Sequence, residues 1–163
     1  MAGDQGVILD GQTAAWMAAG VVVTAASRDA AHLPSLASVL ACQPQAGGAR
    51  LRFVIGQSAN EAFRRDLAAG GPLAIVFSEP TTFRTLQVKA SGAVAVAVDP
   101  GDADRVRAHA VAERAELVAT HNSESFVSSF LDVDTADIAA YECIVEEIYS
   151  QTPGPGAGAR VTA

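Results

Sequence analysis

Three short stretches hold the residue types from which a ligand site can be built. The first is Gly56-Gln57-Ser58, just ahead of a segment with helical periodicity. A turn that opens a helix presents unsatisfied backbone N–H groups and the positive end of the helix dipole. Both suit a phosphate, and Arg64 or Arg65 would add charge one turn later. The same residues have a plainer use as a Ser-x-x-Glu capping box, in which Glu61 consumes the free donors of Ser58. The second stretch is Phe83-Arg84-Thr85-Leu86-Gln87-Val88-Lys89. Period-2 alternation puts Thr85, Gln87 and Lys89 on one face, where hydroxyl, amide and ammonium donors match a planar heterocycle edged with carbonyls and ring nitrogens. A solvated strand face is the alternative. The third is the ending Gln151-Thr152-Pro153-Gly154-Pro155-Gly156-Ala157-Gly158. Its prolines fix the backbone and its glycines allow close approach to another surface; a disordered tail is the plainer reading.

Other catalytic constellations are absent from the sequence. It holds no Gly-x-Gly-x-x-Gly, no P-loop, no Cys-x-x-Cys and no His-x-x-x-His. His32, His109 and His121 stand apart, and no serine or cysteine nucleophile has a base at a defined spacing. A self-sufficient hydrolase is not expected, whereas chemistry borrowed from a cofactor is. Cys42 and Cys143 lie in apolar, strand-like runs that fit core packing rather than metal binding.

Composition narrows the partners. The formal net charge of −7 repels polyphosphate backbones, and the arginines are scattered with no basic window, so nucleic acid is not expected. No apolar run approaches the ~20 residues of a membrane helix. The opening Met-Ala-Gly-Asp-Gln-Gly is polar and has no basic stretch, which points away from a secretory leader and toward a soluble, cytoplasmic, reduced protein. A chain of 163 residues, half of them hydrophobic, is enough for one domain around one core.

The elements that must position these stretches follow from turn signals and periodicity. Residues 10–20 predict a short helix. Strands follow over 21–26, 34–41 and 51–55, the second alternating so loosely that helix is its alternative, with a Pro- and Gly-containing hairpin loop at 43–49. Ser58 to Ala69 predicts a helix ended by Gly70. Leu73 to Phe77 is apolar at every position, as in a strand covered on both faces. Thr81 to Ala90 alternates, with Arg84, Leu86, Val88 and Ala90 opposite Phe83, Thr85, Gln87 and Lys89. Gly92 interrupts and Ala93 to Val98 continues the strand. Asp99-Pro100 opens a helix to about Leu117, and a further helix covers 123–131. A polar linker at 132–140 leads to a last strand, Tyr141 to Tyr149. Short hairpin loops between the first strands favour an antiparallel barrel with helices outside it over a parallel sheet.

Several of these segments together resemble the pyridoxamine 5'-phosphate oxidase-like family. They are Ala25-Ala26-Ser27-Arg28-Asp29-Ala30, Pro34-Ser35, the helix of Asn60 to Leu67, and the run from Ala74 through Pro80 and Arg84 to Lys89. The Gln-Thr-Pro-Gly-Pro ending is similar to that of a subset of its uncharacterised members. The resemblance implies a mainly β (α+β) fold, a six-stranded antiparallel split β-barrel with helices packed outside, dimerising with FMN at the dimer interface. It implies cofactor contacts from Ser35 and Ser38, from Gln57 and Ser58, and from Arg84, Thr85 and Gln87. Where the oxidases carry a basic residue on the second strand and a lysine just after the phosphate-turn serine, this chain has Ser38 and then Ala59-Asn60-Glu61. Oxidation of pyridoxamine phosphate itself is therefore not the expected activity. The expectation is an FMN-binding oxidoreductase acting as a homodimer on a small molecule. The alternative is a non-catalytic module for a flavin, haem or other planar ligand, and deazaflavin is a third cofactor that related barrels use.

Overall fold

Two antiparallel hairpins begin the barrel. In the first, β1 (Val22–Arg28) meets β2 (Pro34–Pro44) across a turn in which Asp29 Oδ1 accepts from the Leu33 N–H at 2.9 Å and His32 takes a φ of 65°. The second joins β2 to β3 (Arg50–Gly56), with a bulge between Val39 and Ala41 that carries β2 from one layer of packing to the next. The computed structural model describes residues 8–45 and 47–161. The remaining strands are β4 (Leu73–Ser78), β5 (Thr85–Val96) and β6 (Ile138–Ser150). They close in the order β1-β2-β3-β6-β5-β4, every neighbour antiparallel, which is the mainly β, six-stranded barrel that the short loops predict.

Alternation fills the interior. Leu86, Val88 and Ala90 of β5 point inward with Ile75 and Phe77 of β4, while Thr85, Gln87 and Lys89 point out. Four helices pack around this. α1 (Gly11–Met17), capped by Asp10, closes one end of the barrel with Trp16 and Met17. α2 (Glu61–Ala68) closes the opposite end with Phe63 and Leu67. α3 (Pro100–Ala119) lies over the outer face of β2 and β3. There Val106 joins Ala41, Val54, Ile138 and Ala140 in a second, smaller core. α4 (Glu124–Phe130) packs on α3.

The structure departs from expectation in several places. The strand predicted from Thr81 begins only at Thr85, because Phe83, with a φ of 61°, turns the chain just before it. The helix predicted over 58–69 is split into a single 3₁₀ turn at Ser58–Asn60 followed by α2. Its cap residue is Asn60, and the Ser58–Glu61 capping box does not form. The stretch read as a polar linker ends in strand from Ile138, because β6 stays paired with β3 up to Gly56. The ending is ordered, against the plainer reading of a disordered tail. It turns back through Gly154–Gly158 so that the Val161 N–H donates to the Ile148 carbonyl at 2.8 Å and Arg160 bridges to Tyr149, covering a β6 edge that β3 is too short to reach.

Candidate ligand-binding face

The strand register assembles one broad outer face from β2, β1, β4 and β5. Ser38 pairs with Thr24, Thr24 with Val76, Val76 with Gln87, and Gln87 with Tyr149 of β6, all on the outward side. The next row runs Leu36, Ala26, Ala74, Lys89 and Glu147. Val22, Ser78 and Thr85 form a third. The row from Ser38 to Gln87 carries no charge, the row from Leu36 is uncharged as far as Ala74 and ends on Lys89 and Glu147, and Leu36 is 67% exposed. Ser38 and Gln87 are three strand spacings apart, about 14 Å along the sheet. A face of this width, with an uncharged row across it, is broad enough to lie under a planar ring system.

Polar groups border the platform on the β5–β6 side. Gln151 Nε2 donates to Gln87 Oε1 at 3.2 Å, so the Gln87 amide is oriented by the chain's own ending. The Thr85 N–H donates to Thr152 Oγ1 at 3.0 Å, and the Thr85 hydroxyl shares a 2.9 Å bond with Ser78. Lys89 Nζ sits 3.6 Å from Glu147 and 4.8 Å above the Tyr149 ring. A hydrogen bond from Tyr149, with help from Arg160 and Lys89, holds the Glu147 carboxyl below its ordinary range.

The seven residues that the resemblance implies as cofactor contacts do not form one cluster within the chain. Ser38, Thr85 and Gln87 share the outer face. Ser35 points inward beneath α2, where its hydroxyl donates to Asp66 at 2.5 Å. Arg84 turns toward α1 and lies 4.2 Å from the Trp16 ring. Gln57 and Ser58 are at the α2 end, Arg84 and Thr85 at the α1 end. The span of β1 from Ser27, opposite Ser35, to Val22, level with Ser78 and Thr85, separates these ends by about 17 Å.

The turn expected to seat a phosphate is filled from within. The Ser58 N–H donates to Asp137 Oδ2 at 3.1 Å and its hydroxyl to Asp137 Oδ1 at 2.9 Å, while the Gln57 N–H donates to the Asp137 carbonyl at 2.8 Å. Arg64 is engaged with the Gln57 carbonyl and the Tyr141 hydroxyl at 3.3 and 3.4 Å. The donors of the Gln57–Ser58 turn are therefore already taken, and the turn does not fit a phosphate.

Two further clusters were not singled out from sequence. Asp102, fully buried, accepts from Arg52 at 2.6 and 3.0 Å and from Arg105 at 2.7 Å, tying α3 to β3. Burial alone would raise its carboxyl, but the Arg52 and Asp99 hydrogen bonds and both guanidinium charges outweigh it and leave the pKa lowered. On the same helix His109 Nε2 faces Glu113 at 3.8 Å, both side chains buried, and this nitrogen has no hydrogen-bond partner among the described residues. Desolvation lowers the His109 pKa and lifts that of Glu113 to about 7. His109 and Glu113 are four apart on a helix that the sequence predicts, and that spacing was the available signal.

Among the described residues no cluster of three His, Cys, Asp or Glu side chains is placed to hold a metal ion, and no helix is long and apolar enough to cross a membrane. No family model matches the sequence, and none of the curated proteins matches it. Solved structures do. A putative pyridoxamine 5'-phosphate oxidase from Lactobacillus delbrueckii is 13% identical, with 87% of this chain and 93% of that one covered at a TM-score of 0.54. HupZ of Group A Streptococcus is 14% identical, with 92% and 100% covered at 0.54. An F420 reductase is 15% identical, with 86% and 98% covered at 0.51. At such identities the likeness speaks for architecture alone: the chain has the split-barrel fold of the pyridoxamine 5'-phosphate oxidase-like proteins.

Proposed function

We propose that this protein is a homodimeric flavin-binding oxidoreductase. The flavin ring lies on the outer face of β2, β1, β4 and β5, and FMN is the first cofactor to test. The uncharged face from Ser38 to Gln87 carries this reading, because Leu36, Ala26, Ala74 and Val76 set apolar side chains beside Ser38, Thr24 and Gln87, a mixture suited to covering a ring with polar edges. Leu73, Ile75 and Phe77 fill the barrel, while Ala74 and Val76 remain for a partner to cover. A two-fold partner seated on this face would cover Ala74 and Val76 of both protomers at once. The flavin supplies the electron transfer; Gln87, set by Gln151, and Thr85 supply orientation at the ring edge.

A second reading, a non-catalytic holder of a flavin, haem or other planar ligand, is favoured by the same face. No acid or base stands among Val22, Thr24, Ala26, Ser38, Val76 and Gln87 to move a proton. The fold shared with an F420 reductase adds a deazaflavin to the ligands worth testing. The absorption spectrum of purified protein, then titration with FMN, deazaflavin and haem, identifies the ligand. Bleaching of a bound flavin by NAD(P)H separates the readings: dithionite reduction without any NAD(P)H reduction leaves the holder. A protein that binds none of the three overturns both.

A further inference from the structure

We propose that Asp137 closes the Gln57–Ser58 turn to anions, so that the ligand of this barrel carries no phosphate at that point. This rests on the flavin-type reading above and narrows it. Three donors of the turn are spent on one residue: both Asp137 carboxylate oxygens on Ser58, and its backbone carbonyl on Gln57. The carboxylate occupies the place and carries the sign that a ligand phosphate would have, so a phosphate must both displace it and meet its charge. Other donors nearby are also committed. Asn60 Nδ2 donates to the Gly56 carbonyl at 2.8 Å, and Arg64 is held by the Gln57 carbonyl and Tyr141. Asp137 is itself fixed, because its N–H donates to the Asp134 carbonyl at 3.1 Å and β6 begins at the next residue. Displacing the carboxylate would break both of its bonds to Ser58, while the Asp137 carbonyl, fixed in the backbone, would keep the Gln57 N–H. A flavin that ends in a neutral ribityl alcohol meets no such opposition.

The test compares riboflavin with FMN on the full chain, in the natural protein and in Asp137→Asn and Asp137→Ala. Amide spectra confirm that each variant is folded. The natural protein is expected to bind FMN no more tightly than riboflavin. In at least one variant the preference for FMN should rise tenfold or more, with riboflavin affinity unchanged. Inorganic phosphate, followed at the Ser58 amide resonance, gives a readout that needs no flavin. Ser58 should stay unmoved in the natural protein at tens of millimolar phosphate and shift saturably in a variant. A tenfold FMN preference in the natural protein, or a saturable Ser58 shift there, overturns the proposal. So does a pair of folded variants that gain neither response. If no flavin binds but the phosphate results come out as expected, the flavin reading fails and the closure by Asp137 stands.

Discussion

Arg84 holds its guanidinium 4.2 Å from the centroid of the Trp16 ring, so the arginine implied as a cofactor contact ties α1 to the barrel end. Phe83, with a φ of 61°, makes the turn that aims it there. The pair has a ready optical probe, since Trp16 is the chain's one tryptophan. Arg84→Ala should lower unfolding free energy by about 1 kcal/mol, the usual size of a partly buried cation–π contact, and should shift Trp16 emission. Flavin affinity should change less than twofold. A variant with natural stability and weakened flavin binding would return Arg84 to the ligand site.

The buried His109–Glu113 pair makes stability depend on pH in a defined direction. Burial raises the folded Glu113 pKa from 4.5 to about 7, so the folded state holds a proton that the unfolded state has lost across that window. Stability from Glu113 is therefore complete below about pH 4.5 and lost as pH rises through about 7. His109 works the other way: its lowered pKa lets the unfolded state bind more protons below 6.5, and stability rises toward that pH. Glu113→Gln removes only the falling arm. It should match the natural protein near pH 5 and exceed it above pH 7 by on the order of 1–3 kcal/mol in denaturant titrations.

The barrel was legible because strand periodicity is local. Leu86, Val88 and Ala90 against Thr85, Gln87 and Lys89 can be read from six consecutive residues, and the structure keeps that division. The ligand site was legible only in its residue types. Ser58 lies 79 positions from Asp137, and nothing in either segment records that they meet. A capping box with Glu61 was the best local use of the Ser58 donors; pairing of β3 with β6 up to Ile138 brought a better-placed carboxylate instead. The Asp102 network is hidden for the same reason, with Arg52 fifty positions away on a strand.

Gly20 is required by the approach of α3. Its φ is +84°, and an added Cβ would lie 2.3 Å from Ala112 Cβ and 2.7 Å from the Glu113 backbone nitrogen. Gly20→Ala should cost roughly 3 kcal/mol or more, from strain and overpacking together. Gly70→Ala is the control. Its φ of +77° carries the strain but no atom lies within 4 Å, so it should cost only about 1 kcal/mol. Equal losses for the two would remove the close approach as the cause.

Thr24 stands on β1 near the middle of the uncharged outer face, exposed in the single chain. Thr24→Arg puts a long charge there without touching the barrel interior. Light scattering should show the mass of a dimer for the natural protein and of a monomer for the variant, with unfolding free energy per chain little changed. A natural protein that is monomeric at all concentrations ends the dimer reading.

The ending is bound to the same face and can be removed cleanly after Ser150. Truncation deletes the Gln151 N–H bond to the Thr85 carbonyl at 2.8 Å, the Thr152 acceptor for Thr85, and the amide that orients Gln87. It also strips the β6 edge at Ile148 and Ser150, where Val161 and Ala159 now pair. The edge loss alone should cost about 1–2 kcal/mol, since the freed groups stay open to water. The loss at Gln87 should appear separately, as flavin content reduced at least severalfold, because the ring edge would then meet an amide free to rotate. Mass in solution and flavin content measured together apportion the two roles. If the truncated protein keeps its dimer mass and its flavin while losing only stability, the Gly- and Pro-rich ending is an edge cover and no part of the site.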